Sequence, residues 1–266
     1  FFFRAEGGIR DKATDWSSDV CSSDLFGDPN LEVSTRLVDV YLESGVDIVE
    51  FALPSDNPFV DSQQISDSGA RALRGEPNIL KHLEQIKKIR QKYPQEPFEV
   101  MAYSDALQKA SMENFVAGMA EADIDAHLLA DSVYREKSEV EELEMLLRAA
   151  DIYRIRFMPH PFQDDLLEDI GRDGKGFMIL QSIADEDGNR ARVAPENKNL
   201  VKRVRESGTR AAIILAYGIR DGARSKEAVA TGADGIIVGT SFVELIGNED
   251  YNGLSKRIRE IKTALK

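Results

Sequence analysis

Glu50 and Asp61 are the residues whose type and spacing point to chemistry. Glu50 interrupts the apolar run Ile48–Ala52, where a buried strand should carry no charge, and carboxylates are almost never buried unless paired. Asp61 lies eleven residues further on, across a loop in which Pro54 and Pro58 stop regular structure. Taken alone, Asp61 reads as a solvated loop residue. The carboxyl end of a strand and the loop after it are where barrel enzymes place their reacting groups, and a strand-end glutamate suits a group that both gives and takes a proton.

Two late glycine turns offer a place for an anion. Ala216-Tyr217-Gly218-Ile219 follows one apolar run and Gly239-Thr240-Ser241 follows the next. Glycine lets backbone N–H groups approach a phosphate closely, and barrels often bind phosphate between their last two loops. The alternative is that Gly218 and Gly239 only let the chain turn. Asp185, Glu186 and Asp187 lie in the polar run 182–192. They would repel a phosphate unless they point outward or a cation intervenes, and a solvated loop tip accounts for them more simply. His160, between two prolines, reads as an incidental loop residue, His82 as a surface residue and His127 as a strand residue. Asp131, at a strand end, is either a supporting partner or a helix cap. No spacing of histidine, cysteine and carboxylate suggests a metal site.

The elements that must hold these residues alternate in type. Periodicity predicts helices over 31–44, 65–93 (interrupted near Gly75-Glu76-Pro77), 112–122, 136–150, 162–170, 197–206, 221–231 and 251–265. Short apolar runs predict strands over 48–52, 98–103, 126–130, 154–158, 177–181, 212–216 and 235–238. Continuous apolar strands are buried on both faces, as in parallel sheets, and the alternation with helices gives an α/β fold. A closed barrel needs eight strands, and these runs number seven.

The first 25 residues fit none of this. Phe1–Glu6 and Trp16–Leu25 show no helical or strand period, and they resemble the conceptual translation of a sequencing adapter joined to a shortened reading frame. They are set aside as a non-native scar, which leaves 26–266 as one expected barrel domain. The only cysteine, Cys21, and the only tryptophan, Trp16, fall in that segment. The rest has no thiol chemistry, which fits a reducing cytoplasm. A formal net charge of -13 over 266 residues argues against nucleic acid or an anionic membrane as partner, and no apolar run approaches membrane-spanning length.

The stretch Val49–Ser66 resembles the signature of the tryptophan synthase alpha chain family, which pairs a strand glutamate with a loop aspartate at this spacing and keeps both prolines. The family's phenylalanine-serine-aspartate is here Ser55-Asp56-Asn57, and its following glycine-proline is Ser62-Gln63. Tyr103-Ser104-Asp105 is similar to a tyrosine-x-asparagine element, and Leu129-Ala130-Asp131 to a strand-end aspartate. Ala216 stands where the family has glycine, Ile179 where it has a tyrosine, and only Gly188 is kept from a glycine-valine-threonine-glycine run. The family also has a strand just before a glycine-aspartate-proline turn, here Gly27-Asp28-Pro29. The resemblance therefore implies a TIM (β/α)8 barrel whose first strand is missing or replaced by the scar.

It further implies cleavage of indole-3-glycerol phosphate into indole and glyceraldehyde 3-phosphate, with Glu50 as the proton-transferring group and Asp61 at the ring nitrogen. Substrate and phosphate contacts would come from Tyr103, Gly188, Tyr217, Gly218, Gly239 and Thr240. Phe51, Leu53, Phe59 and Tyr103 either line the indole pocket or pack in the core. The implied partner is a pyridoxal-phosphate beta chain, met in a heterotetramer partly through the loop from Pro54 to Asp61, and this chain would need no cofactor of its own. The departures leave two alternatives, a non-catalytic or substrate-shifted paralogue and another phosphate-binding barrel enzyme such as an isomerase.

Overall fold

In the computed structural model, residues 19–162, 164–173, 176–183 and 193–266 are described. Strand and helix alternate as β1 (Asp19–Leu25), α1 (Leu31–Ser44), β2 (Ile48–Ala52), α2 (Gln63–Gly75), α3 (Ile79–Lys92), β3 (Phe98–Ala102), α4 (Ser104–Ala110) and α5 (Met112–Glu121). They continue as β4 (Ala126–Leu129), α6 (Lys137–Ala149), β5 (Tyr153–Met158), α7 (Asp164–Asp173), β6 (Phe177–Gln181), α8 (Asn197–Glu206), β7 (Ala212–Ala216), α9 (Gly222–Val229), β8 (Gly235–Val238), α10 (Thr240–Gly247) and α11 (Tyr251–Leu265). All eight strands are parallel, each pairs with its sequence neighbours, and β1 also pairs with β8, which closes the barrel.

The first strand is present and is formed by the segment set aside as a scar, one of the two outcomes expected for it. Cys21 pairs with Ile48 of β2 and with Ile237 of β8, so the barrel begins at residue 19 rather than 26. The physical reason is that pairing uses backbone groups. The facing edges of β2 and β8 carry unmet N–H and C=O groups, and an extended segment satisfies both while burying Val20, Cys21 and Leu25.

Local signals set most helix ends. Asn30 accepts from the Val33 N–H to start α1, and Gly45, at φ 102°, ends it by donating to Tyr41 and Leu42. The helical stretch expected over 65–93, with its interruption near Gly75-Glu76-Pro77, forms α2 and α3, which part there because proline cannot continue the hydrogen-bond ladder. Helix α4 was not expected, since its seven residues are too few to show a period. Strand side chains alternate between two packing clusters. Ile48, Ala52, Met101, Leu128, Phe157, Ile179 and Ile237 fill the barrel interior, while Val49, Phe51, Val100 and Leu215 face outward against the helices. Among the described residues no helix is long and apolar enough to cross a membrane.

Two histidines are structural. His82, expected at the surface, is fully buried on α3, with Nδ1 3.0 Å from the Phe26 carbonyl and Nε2 2.9 Å from that of Glu76. Its ring occupies the space that a side chain on Gly27 would need: a Cβ there would lie 2.6 Å from Cε1. With φ at 110°, that turn accepts only glycine. His127 on β4 donates from Nδ1 to the Val100 carbonyl at 2.8 Å and packs edge-on to Phe115. Burial lowers both histidines, His127 to about 4.

A pH dependence of stability follows. His127 is neutral in the folded state and takes up its proton near pH 6.5 when unfolded, so stability falls as pH drops from about 6.5 towards 4. The loss is roughly 3 kcal/mol at most for this one group. Denaturant titrations across that range will show the decline, and His127→Gln, which keeps a donor for Val100, removes His127's share of it.

Candidate active site

Parallel strands bring all their carboxyl ends to one end of the barrel, and the chemistry-bearing side chains gather there. On β2 the inward positions are Ile48, Glu50 and Ala52, so the parity that buries two apolar residues also aims the carboxylate into the barrel. The loop after β2 returns over the barrel mouth and delivers Asp61. Glu50 and Asp61 both line one cavity of about 370 Å³. Its apolar wall is Met101, Leu128, Phe157, Ile179 and Ile237. Its rim carries Tyr217, Gly218, Arg220, Gly239, Thr240 and Glu244.

The loop is tied down from α4. Asp105 accepts the Ser55 hydroxyl at 2.7 Å and the Asp56 N–H at 2.9 Å, and Lys109 reaches Asp56 at 2.7 Å. Asp131 accepts both the N–H and the hydroxyl of Ser104 at the start of α4, at 3.0 and 2.7 Å, with Arg135 at 3.1 Å. It anchors the neighbouring turn and does not line the cavity. Ser62 caps α2, and its hydroxyl lies 3.4 Å from that of Thr240, joining the loop to the rim.

Tyr103 stands behind Asp61 and donates its hydroxyl to the carboxylate at 2.8 Å. Burial pushes Asp61 up to about 6, with the Tyr103 hydrogen bond pulling the other way. The same pair raises the Tyr103 phenol, mainly through burial and then through the negative charge of Asp61. Tyr103 is thus placed to act on the cavity through Asp61, as it is not among the lining residues. Phe51 and Leu53 pack in the outer core, and Phe59 is 49% exposed, so none of these lines the apolar wall. The wall is built instead from inward positions of β3, β4, β5, β6 and β8, which strand parity in the sequence could have named.

The rim has two features of an anion site. Tyr217 and Gly218 are both left-handed, with φ 73° and 77°. That backbone costs a bulky residue about 1–2 kcal/mol, and such strain gathers at functional turns. The Ser182 hydroxyl donates to the Tyr217 carbonyl at 2.6 Å and holds the turn. Helix α10 begins at Gly239 without a side-chain cap, which leaves first-turn N–H groups for another acceptor. Arg220, the one lysine or arginine among the described lining residues, pairs with Glu244 at 2.5 Å. Gly188 and the carboxylates at 185–187 lie outside the described residues. His160 is exposed in the turn after β5, away from the cavity lining. Among the described residues no cluster of histidine, cysteine and carboxylate forms a metal site.

Glu99 is the residue that sequence reasoning passed over. It breaks the apolar strand β3 as Glu50 breaks β2, the same signal one strand further on. The two are register partners, and both are buried. Burial, then the charge of Glu50, hold the Glu99 carboxyl well above the usual range.

Comparison with known proteins places this geometry in a lineage. The family model for the tryptophan synthase alpha chain matches residues 25–265. The tryptophan synthase alpha chain of Photobacterium profundum is 30% identical over 247 residues, covering 91% of this chain and 90% of that one. That of Buchnera aphidicola from Schlechtendalia chinensis is 26% identical over 244 residues. A solved structure from Aquifex aeolicus superposes with a TM-score of 0.84 at 23% identity, covering 98% of this chain and 99% of that one. The tryptophan synthase subunit alpha of Campylobacter jejuni gives 0.78 at 23% identity, over 94% and 97% of the two chains. At that identity the two structures speak for the fold.

The electrostatics at Asp61 can be measured directly. Carboxyl-carbon NMR of aspartate-labelled protein should show one group titrating near pH 6 that is lost in Asp61→Asn. Tyr103→Phe should move that midpoint higher, because it removes the hydrogen bond that favours the anion. Because the shift is upward, the stability cost of ionising Asp61 is absent at low pH and complete only above about 6.

Proposed function

The chain belongs to the tryptophan synthase alpha chain family, and from that premise we propose that it cleaves indole-3-glycerol phosphate into indole and glyceraldehyde 3-phosphate, as the alpha subunit of tryptophan synthase in tryptophan biosynthesis. The observation that carries this reading is that Glu50 and Asp61 share one cavity with an apolar wall and a rim that holds Gly218 and Gly239. Those three surfaces match a substrate made of an indole, a reacting carbon–carbon bond and a phosphate.

Breaking that bond requires a proton on the indole carbon and removal of the proton from the neighbouring side-chain hydroxyl. Glu50 does both in turn: it protonates the ring, then accepts the hydroxyl proton as the bond electrons return to the indole. The protonated ring is cationic and its N–H is a stronger donor. Asp61, anionic above about pH 6, faces that nitrogen and stabilises the charge as it develops. Tyr103 orients Asp61 through its hydroxyl. The phosphate sits against the backbone N–H groups of the Tyr217-Gly218 turn and the start of α10 at Gly239 and Thr240, with the Arg220 guanidinium beside them, and it supplies orientation. Gly188 would add a contact from the loop after β6.

Phe59 and Tyr134 form an exposed aromatic pair on the rim, 5.2 Å between ring centroids and 49% and 57% exposed. With the loop from Pro54 to Asp61, they present the surface that a beta chain covers. The barrel, which takes in β1 as well as residues 26–266, is read as a single domain working in the cytoplasm. No observation favours a non-catalytic paralogue or a different barrel enzyme.

The test is indole release from indole-3-glycerol phosphate by the full chain, with and without a beta chain. Glu50→Gln should cost about 10²–10⁴-fold in turnover while leaving the circular dichroism spectrum unchanged. Near-normal turnover by that variant would remove Glu50 from the mechanism, and absence of cleavage by the unmodified chain under both conditions would defeat the proposal.

A further inference from the structure

Beneath the cavity lies a buried acid that the mechanism above does not use. Glu99 sits directly opposite Glu50 in the β2–β3 register. Both point into the barrel, Glu50 2% exposed and Glu99 not at all. Glu50 lines the cavity and Glu99 does not, so Glu99 lies under the reacting carboxyl, away from substrate. Resting on the function proposed above, we infer that Glu99 is a positioning residue for the cleavage, holding one proton in common with Glu50 so that the cavity floor always presents an acid together with a place for a proton to return.

Two buried carboxyls face each other across the β2–β3 register. Two carboxylates have only acceptors, so nothing holds them together side by side unless a proton lies between them. Without it, two negative charges would face each other in the interior, where their repulsion is strong. Among the described residues, the groups that act on Glu99 bring no positive charge to it. Cys21 on β1 places its thiol 3.3 Å from Oε1 of Glu99 and is a weak donor. Ala126, the register neighbour on β4, carries no charge. Asp61, Tyr103 and Tyr217 stand further out at the mouth and are negative or neutral. Asp47, at the far end of β2, is also an acid. The groups that act on Glu99 are Glu50 and Cys21, and neither is a cation. Burial and the neighbouring charge both raise the Glu99 carboxyl, consistent with a proton kept there near neutral pH.

The proton count closes over one turnover. The pair begins with one proton, which Glu50 delivers to the indole carbon. The pair is then doubly anionic, and that state is a strong base. It takes the proton from the side-chain hydroxyl as the carbon–carbon bond breaks and its electrons return to the ring. Indole and the aldehyde leave, and the pair again holds one proton. Glu99 favours the second step, because repulsion between the two anions makes the pair eager to be reprotonated, while the same repulsion makes the first proton harder to give up.

The test compares pH profiles of indole release by the unmodified chain and by Glu99→Gln, which keeps the shape and a donor but cannot ionise. The Asp61 limb near pH 6 should be common to both. The alkaline limb should move to lower pH in Glu99→Gln by about one unit or more, since Glu50 no longer faces an anion that makes its proton hard to lose. Superimposable profiles would overturn the inference. Infrared spectra of the unmodified chain provide a readout that needs neither activity nor a folded variant. A protonated-carboxyl C=O band should persist at neutral pH, and its absence would equally overturn the inference. Failure of the unmodified chain to release indole would count against the proposed function, and the infrared measurement would still decide whether the two acids share a proton.

Discussion

Closure of the parallel barrel is the constraint on which the remaining structure rests. Each strand is hydrogen-bonded on both sides, so no strand can rotate to expose an unwelcome side chain. Parity then decides everything that points inward. Ile48 and Ala52 lie inside, and Glu50 between them has no alternative. The same holds on β3, where Glu99 shares its face with Met101. The β2–β3 register places the two acids opposite one another. A fold stabilised by burying apolar surface thus carries a pair of carboxyls in its interior, and the proton they share is what makes their burial tolerable.

The rest of the site is a matter of holding loops at one end of that barrel. Asp105 grips the loop after β2 through Ser55 and the Asp56 N–H, and Asp131 grips the start of α4. These acids stabilise geometry and do not enter the cavity. Tyr103 ends β3 and reaches across to Asp61, so one strand supplies both the hidden acid and the hydroxyl that orients the visible one. On the rim the strained Tyr217 backbone is held by Ser182, which ties the end of β6 to the turn after β7. Rigid strands and cross-linked loops hold Glu50 and Asp61 in place at the cavity, the fixed geometry from which positional catalysis draws its advantage.

Elsewhere, polar groups inside the molecule serve packing. His82 fills the hollow above Gly27 and meets two carbonyls, while His127 wedges between β4 and Phe115. Arg90 bridges α3 to Asp125 at 2.6 Å with both side chains buried, and it covers the Phe98 ring. Removing one partner of such a pair strands the other. These contacts fasten the helices to the outside of the barrel and leave the interior end free for chemistry.

The α/β class, seven of the strands and the long helices were legible because burial imposes a period on the chain, and periods are local. The glutamate in β2 and the aspartate across the proline loop were legible for a related reason: a charge in an apolar run and a stiffened loop are visible in a few residues. Glu99 carried the same signal and was passed over, because a carboxyl in one strand gains its meaning only from the carboxyl it faces on the next. The first strand was illegible, as backbone pairing to β2 and β8 has no sequence pattern. His82 looked like a surface residue until α3 was packed under the turn at Gly27. The sequence by itself determined which segments would be strand or helix and which acids were out of place. Only the tertiary structure decided which strand closes the ring, which side chains line the cavity and which two acids share a proton, because these depend on register and parity between segments far apart in the chain.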